Sequence, residues 1–290
     1  MIASPGRGSK LAAAVKGLAG FLDEADITEL AHEQAVDIHF QSAKSLHELR
    51  LRLHQLIADL PLDVILQPVA GRKKRLLIAD MDSTVIGQEC IDELADFAGL
   101  KPRIAAITDR AMRGEIEFEP ALRERVALLK GLPIETIDRV LTERIRLTEG
   151  AKTLVATMRA NGAHTILVSG GFTAFVEPVA AMAAFNESRA NRLLQADGKL
   201  TGGVAEPILG RNTKLATLED AIIRLGIAAE DTLAVGDGAN DLGMISRAGL
   251  GVAFHAKPKV AEAADARVDH SDLTALLFAQ GYRPAEFLTS

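Results

Sequence analysis

Short apolar runs, separated by amphipathic stretches, recur along the chain from residue 76 onward. Four of these runs end in small or acidic residues, at 76–79, 165–168, 232–235 and 250–253. Stretches between them, such as 151–160 and 215–225, repeat apolar residues with helical spacing. Apolar runs that alternate with helices predict an α/β fold with a parallel sheet covered on both faces. Ligands bind such sheets at the carboxyl ends of the strands, so the residues after each run are the first candidates for chemistry.

A different pattern precedes residue 73. Leucines at alternating spacings of three and four predict a helix over 46–60, and strand-like stretches flank it at 35–40 and 62–66. With a further helix over 10–22, these elements predict a small α+β module at 1–72 that contains a β-α-β half, followed by the main domain at 73–290. The cationic segment 71–75 is predicted to be a solvated linker between the two, because the chain as a whole is acidic.

Residues 88–149 hold helical patterns and no convincing strand, with breaks near 99–102, at Gly114 and near 131–133. An insertion of about sixty residues between the first two strands is too long for a plain crossover. We therefore predict a helical cap over 88–149 that covers the carboxyl end of the sheet.

Composition narrows the class of protein. The chain has 290 residues, a net charge of −6 and one cysteine, Cys90. The net charge argues against a nucleic-acid or anionic-membrane surface, and a single cysteine excludes an internal disulfide. No apolar run approaches the roughly 20 residues of a membrane span. A soluble, cytoplasmic protein is expected.

Carboxylates follow two of the predicted strands. Asp80 and Asp82 come directly after the first run, and Asp237 and Asp241 lie in the segment Gly-Asp-Gly-Ala-Asn-Asp after the third. A lone pair of this kind is as common in solvated loops, but two acidic clusters at the end of one sheet favour a bound cation. Mg²⁺ prefers oxygen ligands and takes one to three of them from protein.

The second run ends in Ser169, Gly170 and Gly171, and Lys214 opens the helix before the third run. A hydroxyl, backbone N–H groups and a lysine suit the oxygens of a phosphate group. Each feature alone is also typical of an ordinary turn or a solvated surface.

Taken in order, these motifs resemble those of the haloacid dehalogenase-like phosphatases, and fuller strings resemble the phosphoserine phosphatases among them. The resemblance covers roughly 75–283 and implies a Rossmann-like core with an inserted cap. Residues 1–72 resemble a shortened or degenerate amino-acid-binding module. The strings that carry the match are 80–84 with Glu89, 111–114 with Phe118, 122–126, 169–172, 236–242 and 255–259.

The resemblance implies catalysis through an aspartyl-phosphate. Asp80 is the expected nucleophile, and Asp82 the acid that protonates the leaving oxygen and then the base that accepts a proton from water. Mg²⁺ is expected on Asp80, Asp237 and the backbone carbonyl of Asp82.

The resemblance also assigns the substrate contacts. Lys214, Ser169 and Gly170 are expected to bind the phosphoryl oxygens, with Asn240 at the same end and Asp241 supporting Lys214 or a metal-bound water. Of the remaining residues, Arg125 is expected to bind the substrate carboxylate and Glu89 its ammonium, while Met112 and Phe118 shield the site and Gly171 supports it.

The implied reaction is hydrolysis of O-phospho-L-serine to serine and phosphate, the last step of serine biosynthesis, with a small molecule as the only assigned partner and a homodimer left open. One alternative is a phosphatase or phosphotransferase for another small phosphomonoester. A second is a ligand-sensing protein with an inert core, whose sign would be the loss of Asp80 or Asp82; both are present.

Overall fold

The computed structural model describes residues 1–3, 6–19, 22, 25–57, 60–112, 115–210 and 212–289. The side chains of Ala19, His54 and Met112 lie outside this description. Across these ranges no helix combines the length and the apolar character needed to cross a membrane.

Strands and helices are distributed over the whole chain. In chain order they are β1 (Ile2–Ala3), α1 (Gly8–Ala19), β2 (Asp26–Ala31), β3 (Ala35–His39), α2 (Leu46–Ile57), β4 (Leu62–Asp63), β5 (Leu76–Asp80), α3 (Cys90–Phe97), α4 (Lys101–Met112), α5 (Phe118–Leu128), α6 (Glu135–Glu143), α7 (Ala151–Ala160), β6 (His164–Phe172), α8 (Thr173–Ala183), β7 (Glu187–Asn191), β8 (Leu193–Ala196), β9 (Lys199–Val204), α9 (Thr213–Leu225), β10 (Thr232–Gly236), α10 (Leu242–Arg247), β11 (Leu250–Phe254), α11 (Pro258–Ala263), β12 (Ala266–Val268) and α12 (Ala275–Ala279).

The main sheet has six strands in the order β12-β11-β10-β5-β6-β7, and every neighbouring pair is parallel. Its central strands β5, β10 and β11 are buried along their whole length, as expected for a sheet covered by helices on both faces. The predicted α/β fold with a parallel sheet is confirmed, and all four predicted strands are present. The edge strands β7 and β12 escaped prediction because one is polar and the other is only three residues long.

The N-terminal residues form a separate four-stranded antiparallel sheet in the order β2-β3-β1-β4. Strand β1 pairs antiparallel with both β3 and β4, so β3 and β4 run in the same direction and α2 connects them. This is the predicted β-α-β unit, completed by β1, α1 and β2 to a β-α-β-β-α-β arrangement. The strand expected over 62–66 extends only over Leu62–Asp63. Of the helices predicted over 10–22 and 46–60, residues 20–21 and 58–59 lie outside the described residues.

The cationic segment 71–75 is only partly the solvated linker that we predicted, because Lys73 and Arg75 are exposed whereas Arg72 and Lys74 are not. Arg72 forms an ion pair with Asp37 at 2.7 Å and also donates to the backbone carbonyl of Ala279. Lys74 is only 9% exposed and donates to the carbonyl of Glu230 at 2.7 Å. The segment therefore connects the N-terminal sheet to the rest of the chain. It donates to the Asp37 carboxylate on one side and to the carbonyls of Ala279 and Glu230 on the other.

Helices α3, α4, α5 and α6 lie between β5 and β6, in the region predicted to be a cap. The β8–β9 hairpin packs against this region, since Gly131 donates to the Leu200 carbonyl at 2.8 Å and Leu200 donates to the Leu132 carbonyl at 2.9 Å. Gly202 allows this approach, because its φ of +85° is left-handed and a Cβ there would lie 3.0 Å from Lys130. The helix break expected at Gly114 falls outside the described residues.

Candidate active site

Lys214 lies between two buried carboxylates at the carboxyl end of the main sheet. Its Nζ is 2.6 Å from Asp80 Oδ1 and 2.5 Å from Asp241 Oδ1, and the lysine side chain is only 4% exposed. Burial works against the charged ammonium, but Asp80 and then Asp241 raise the pKa of Lys214 above its usual value. The ammonium is therefore held as a fixed positive charge beside the end of β5.

Asp80 ends β5, and its two carboxylate oxygens have different surroundings. Oδ1 accepts hydrogen bonds from Lys214 and from the backbone N–H of Met81 at 2.7 Å. No donor from the described part of the chain reaches Oδ2. Burial, followed by the neighbouring Asp241, raises the pKa of Asp80 well above its usual range.

A single π-type turn over Met81–Val85 carries Asp82 away from the strand. The turn closes with a bond from Ile86 N–H to the Met81 carbonyl at 3.0 Å, and Ser83 adopts a left-handed φ of 56°. Asp82 Oδ1 accepts from the backbone N–H of Cys90 at 2.8 Å, and Oδ2 accepts from Ser169 Oγ at 3.1 Å. Burial raises the pKa of Asp82, although the bonds from Cys90 oppose the shift. A raised pKa suits a carboxyl group that exchanges a proton.

Three carboxylates come together at this end of the sheet. Oxygen atoms of Asp80, Asp237 and Asp241 all lie within 4.8 Å of one another. Burial, followed by the nearby Asp241, raises the pKa of Asp237, while Lys257 and Lys214 oppose the shift. If all three are ionised, Lys214 leaves a net charge of −2. A hard divalent cation with oxygen ligands fits this donor set.

The positions of Asp241 and Gly236 depend on each other. Asp241 is fully buried, and its Oδ2 accepts the backbone N–H of Gly238 at 2.9 Å. A Cβ at residue 236 would collide with the Asp241 carboxylate. The glycine therefore permits the turn after β10 to fold back so that Asp241 reaches Lys214.

A small cavity of about 20 Å³ lies beside Lys214. Phe118, at the start of α5, borders it on one side, and its ring lies 3.5 Å from where a Cβ of Gly170 would stand. Ser169 Oγ accepts the N–H of Gly171 at 2.9 Å, which turns the end of β6 toward the cavity. The lining residues are Phe118, Ser169, Gly170, Leu209, Gly210, Thr213, Lys214 and Asn240. Five of the predicted site residues therefore share one cavity.

Glu89, directly before α3, and Arg125, on α5, lie beside the same site. Glu89 Oε1 accepts from Ser83 Oγ at 2.7 Å. Burial, followed by the charge of Asp82, raises the pKa of Glu89 to about 7. Burial lowers the pKa of Arg125, while Asp92 and Glu89 oppose the shift.

The Arg125 guanidinium keeps donors available. Its Nε donates to the Ala121 carbonyl at 3.3 Å. Within the described ranges, no carboxylate oxygen lies within 4.0 Å of its nitrogen atoms. One further predicted residue, Met112, ends α4, but its side chain lies outside the description.

One buried polar residue near the site escaped sequence reasoning. Asn191 ends the edge strand β7 and is 2% exposed. Its Nδ2 donates to the carbonyls of Gly170 at 3.0 Å and Leu209 at 3.2 Å, and its Oδ1 accepts from Leu209 N–H at 2.7 Å. No local pattern marks an asparagine in a polar strand, so the sequence held no signal for it.

Comparison with known proteins places the chain in a family. The family model of haloacid dehalogenase-like hydrolases matches residues 77–246, which is more than half of the chain. The chain belongs to the haloacid dehalogenase-like hydrolase family. A crystal structure of a HAD family hydrolase from Salmonella enterica subsp. enterica serovar Typhi superposes with a TM-score of 0.87 at 30% identity, covering 96% of both chains.

Curated relatives in this hydrolase family include phosphoserine phosphatases. One from Archaeoglobus fulgidus is 43% identical over 83% of this chain and 70% of its own length. Phosphoserine phosphatase SerB2 of Mycobacterium tuberculosis is 42% identical over 82% of this chain and 58% of its own length. The chain therefore spans little more than half of the mycobacterial relative.

Proposed function

We propose that this HAD-like hydrolase is a phosphoserine phosphatase that works through a phosphorylated Asp80. The observation that carries the proposal is that one site combines a cluster suited to a phosphoryl group with two charges suited to an amino acid head group. A buried Asp80–Lys214–Asp241 cluster suits a phosphoryl group, while Glu89 and Arg125 beside it offer opposite charges to an amino acid head group. The two phosphoserine phosphatases at 42–43% identity support the same substrate.

In the first half-reaction, Asp80 Oδ2 attacks phosphorus and forms an acyl-phosphate. The bond between phosphorus and the serine oxygen breaks, and the leaving oxygen takes the proton of Asp82. Lys214 holds Asp80 through Oδ1, which keeps Oδ2 directed at the substrate. Its ammonium also offsets charge on the phosphoryl oxygens, for which Ser169 and the Gly170 N–H offer further hydrogen bonds.

In the second half-reaction, water attacks phosphorus of the acyl-phosphate. Asp82, now a carboxylate, accepts a proton from this water, and the phosphorus–Oδ2 bond breaks to release phosphate and restore Asp80. The raised pKa of Asp82 supports both steps, because the group must hold a proton in one half and accept it in the other. Phe118 over Gly170 limits the access of bulk water.

We propose Mg²⁺ as the cofactor, held by Asp80, Asp237 and the backbone carbonyl of Asp82. When bound, it would offset the negative charge of the transferring phosphoryl group. The two carboxylate ligands of this set are supported by the Asp80 and Asp237 oxygens, which lie within 4.8 Å of each other. Asp241 supports Lys214 through its 2.5 Å contact, and Asn240 lines the phosphate end of the cavity.

The head group would lie between the cap and Asp82. Arg125 can donate two parallel hydrogen bonds to the substrate carboxylate, and ionised Glu89 can accept from the ammonium. Arg125 is half-buried, so its charge acts in a medium less polar than water.

Phosphate release from L-phosphoserine, with and without Mg²⁺, tests the proposal. Wild type should release phosphate only with the metal, and Asp80→Asn should be inactive although circular dichroism shows it folded, because an amide cannot act as the nucleophile. Asp220→Asn, an exposed aspartate that pairs with Arg189 outside the site, is the matched control and should keep full activity. Activity of Asp80→Asn within tenfold of wild type would overturn the mechanism. Equal turnover of other small phosphomonoesters would overturn the assignment of phosphoserine as the substrate.

Several further properties belong to the same proposal. We infer that residues 1–72 and 73–290 are two domains with the cap at 88–149, and that the enzyme acts in the cytoplasm on the last step of serine biosynthesis. A homodimer and the lack of a nucleic-acid partner remain predictions that gel filtration and a binding assay with a DNA duplex would check.

A further inference from the structure

Asn191 occupies a place where the main sheet loses its regular pairing. The parallel ladder between β6 and β7 runs from Ile166 to Val168 and shifts register before Phe172 pairs with Asn191. The interrupted part of β6 contains Ser169, Gly170 and Gly171. The backbone carbonyl of Gly170 therefore depends on a side chain, and it accepts from Asn191 Nδ2 at 3.0 Å.

The same side chain holds a second segment. Asn191 Nδ2 also donates to the Leu209 carbonyl, and its Oδ1 accepts the Leu209 N–H. These two hydrogen bonds resemble the pairing of one residue with a neighbouring strand. Among side chains, only a primary amide can donate to two carbonyls and accept from an N–H at the same time. Leu209 lies five residues before Lys214 along the chain.

The two segments that Asn191 joins both line the small cavity beside Lys214, which is the phosphate cavity of the proposed function. Gly170 belongs to the first segment, and Leu209 and Gly210 belong to the second. Asn191 itself does not line the cavity. The cavity is small, at about 20 Å³, so a displacement of either segment would alter its shape.

We propose that Asn191 is a positioning residue that sets the width of the phosphate cavity, by fixing the Gly170 peptide against the segment that leads to Lys214. The proposal deepens the proposed function and rests on it for the identity of the bound group. A wall that moves by about 1 Å can cost on the order of 100-fold in catalysis. The loss should fall on the phosphate end of any substrate and not on the amino acid head group.

The test compares Asn191→Asp and Asn191→Ala with Asn186→Ala. Asn186 is the matched control, because its Oδ1 accepts from Thr165 N–H at 2.9 Å and from Thr165 Oγ1 at 3.0 Å, near the amino end of the same strand pair and away from the cavity. The measurements are KM and kcat for phosphoserine and for p-nitrophenyl phosphate, the inhibition constant of inorganic phosphate, and the thermal midpoint.

We expect both Asn191 variants to weaken inhibition by inorganic phosphate about 10- to 100-fold and to raise KM for both substrates by a similar factor. Asn191→Asp should be as damaging as Asn191→Ala, since a carboxylate cannot donate to the two carbonyls. Asn186→Ala should leave all three constants within about twofold of wild type, whatever its thermal midpoint.

Three results would overturn the proposal. One is unchanged phosphate inhibition in folded Asn191 variants, and another is an equal loss in Asn186→Ala. The third is failure of both Asn191 variants to fold, which would make the residue purely structural. Failure of the proposed function is a distinct result: wild type would not discriminate phosphoserine from p-nitrophenyl phosphate. Phosphate binding by calorimetry would still report the width of the cavity in that case.

Discussion

Replacing Arg125 by alanine isolates recognition of the substrate carboxylate from the chemistry of phosphoryl transfer. Arg125 lies on α5, in the predicted cap, and belongs neither to the carboxylate cluster nor to the lining of the phosphate cavity. Its Nε bond to the Ala121 carbonyl orients the guanidinium along its own helix. The side chain can therefore be removed without opening an ion pair within the described residues.

The expected loss follows from the number and kind of hydrogen bonds. With Nε engaged by Ala121, two terminal nitrogens remain for a carboxylate, in the arrangement that gives paired charge-assisted bonds. Partial burial of Arg125 strengthens these bonds relative to an exposed pair. We expect a loss of about 2–4 kcal/mol, which corresponds to roughly 30- to 1000-fold in kcat/KM for phosphoserine.

The assay measures kcat/KM for phosphoserine and for p-nitrophenyl phosphate in wild type and Arg125→Ala. The second substrate has no carboxylate, so its kcat/KM should fall by less than about tenfold. Arg123→Ala is the matched control, because Arg123 lies on the same helix, is 49% exposed and pairs with Glu206. It should change neither substrate by more than about twofold.

Parallel losses on the two substrates would refute this reasoning. They would show that Arg125 acts through the stability or placement of the cap and makes no selective contact with a carboxylate. The case for phosphoserine over other small phosphomonoesters would then rest on the relatives alone.

Three further predictions concern charge in the site. Lys214→Met should lower the free energy of unfolding, measured by urea titration, by about 3–5 kcal/mol, because it leaves two buried carboxylates without their counter-charge. An unchanged urea midpoint would contradict the ion-pair geometry. For phosphoserine, kcat/KM should fall as pH drops below about 7, where Glu89 becomes protonated and loses its attraction for the ammonium. Glu89→Gln should lose that dependence, and a pH profile identical to wild type would count against it. Removing divalent metal with a chelator should stop turnover and Mg²⁺ should restore it, since the carboxylate cluster carries excess negative charge; full activity in excess chelator would disprove the metal requirement.

Local pattern was sufficient for the four inner strands of the main sheet and for placing several candidate residues at one of its edges. Buried strands such as β5 and β10 are short apolar runs, and parallel strands expose their carboxyl ends on one edge of the sheet. Any residue that directly follows such a run must lie at that edge, so Asp80 and Asp237 could be assigned to one site before the structure was known. The order of the motifs along the chain then indicated the family.

Tertiary structure decided the features that depend on contacts between distant segments. Lys74 follows the pattern of a solvated linker, yet it is buried against the Glu230 carbonyl more than 150 residues away. The edge strand β7 carries no apolar run, because a strand at the border of the sheet can be polar. The sequence therefore gave no reason to distinguish Asn191, at the end of β7, from an exposed asparagine.

Sequence patterns record periodicity and composition over a few residues, and these determine which segments become helices and strands. They do not record which carbonyl or carboxylate will lie within 3 Å of a given donor. That depends on how crossovers bring segments together, as when Lys214 meets Asp80 across 134 positions. The chemistry at the strand ends was therefore readable from the sequence, while the partners that hold it in place were set only by the folded chain.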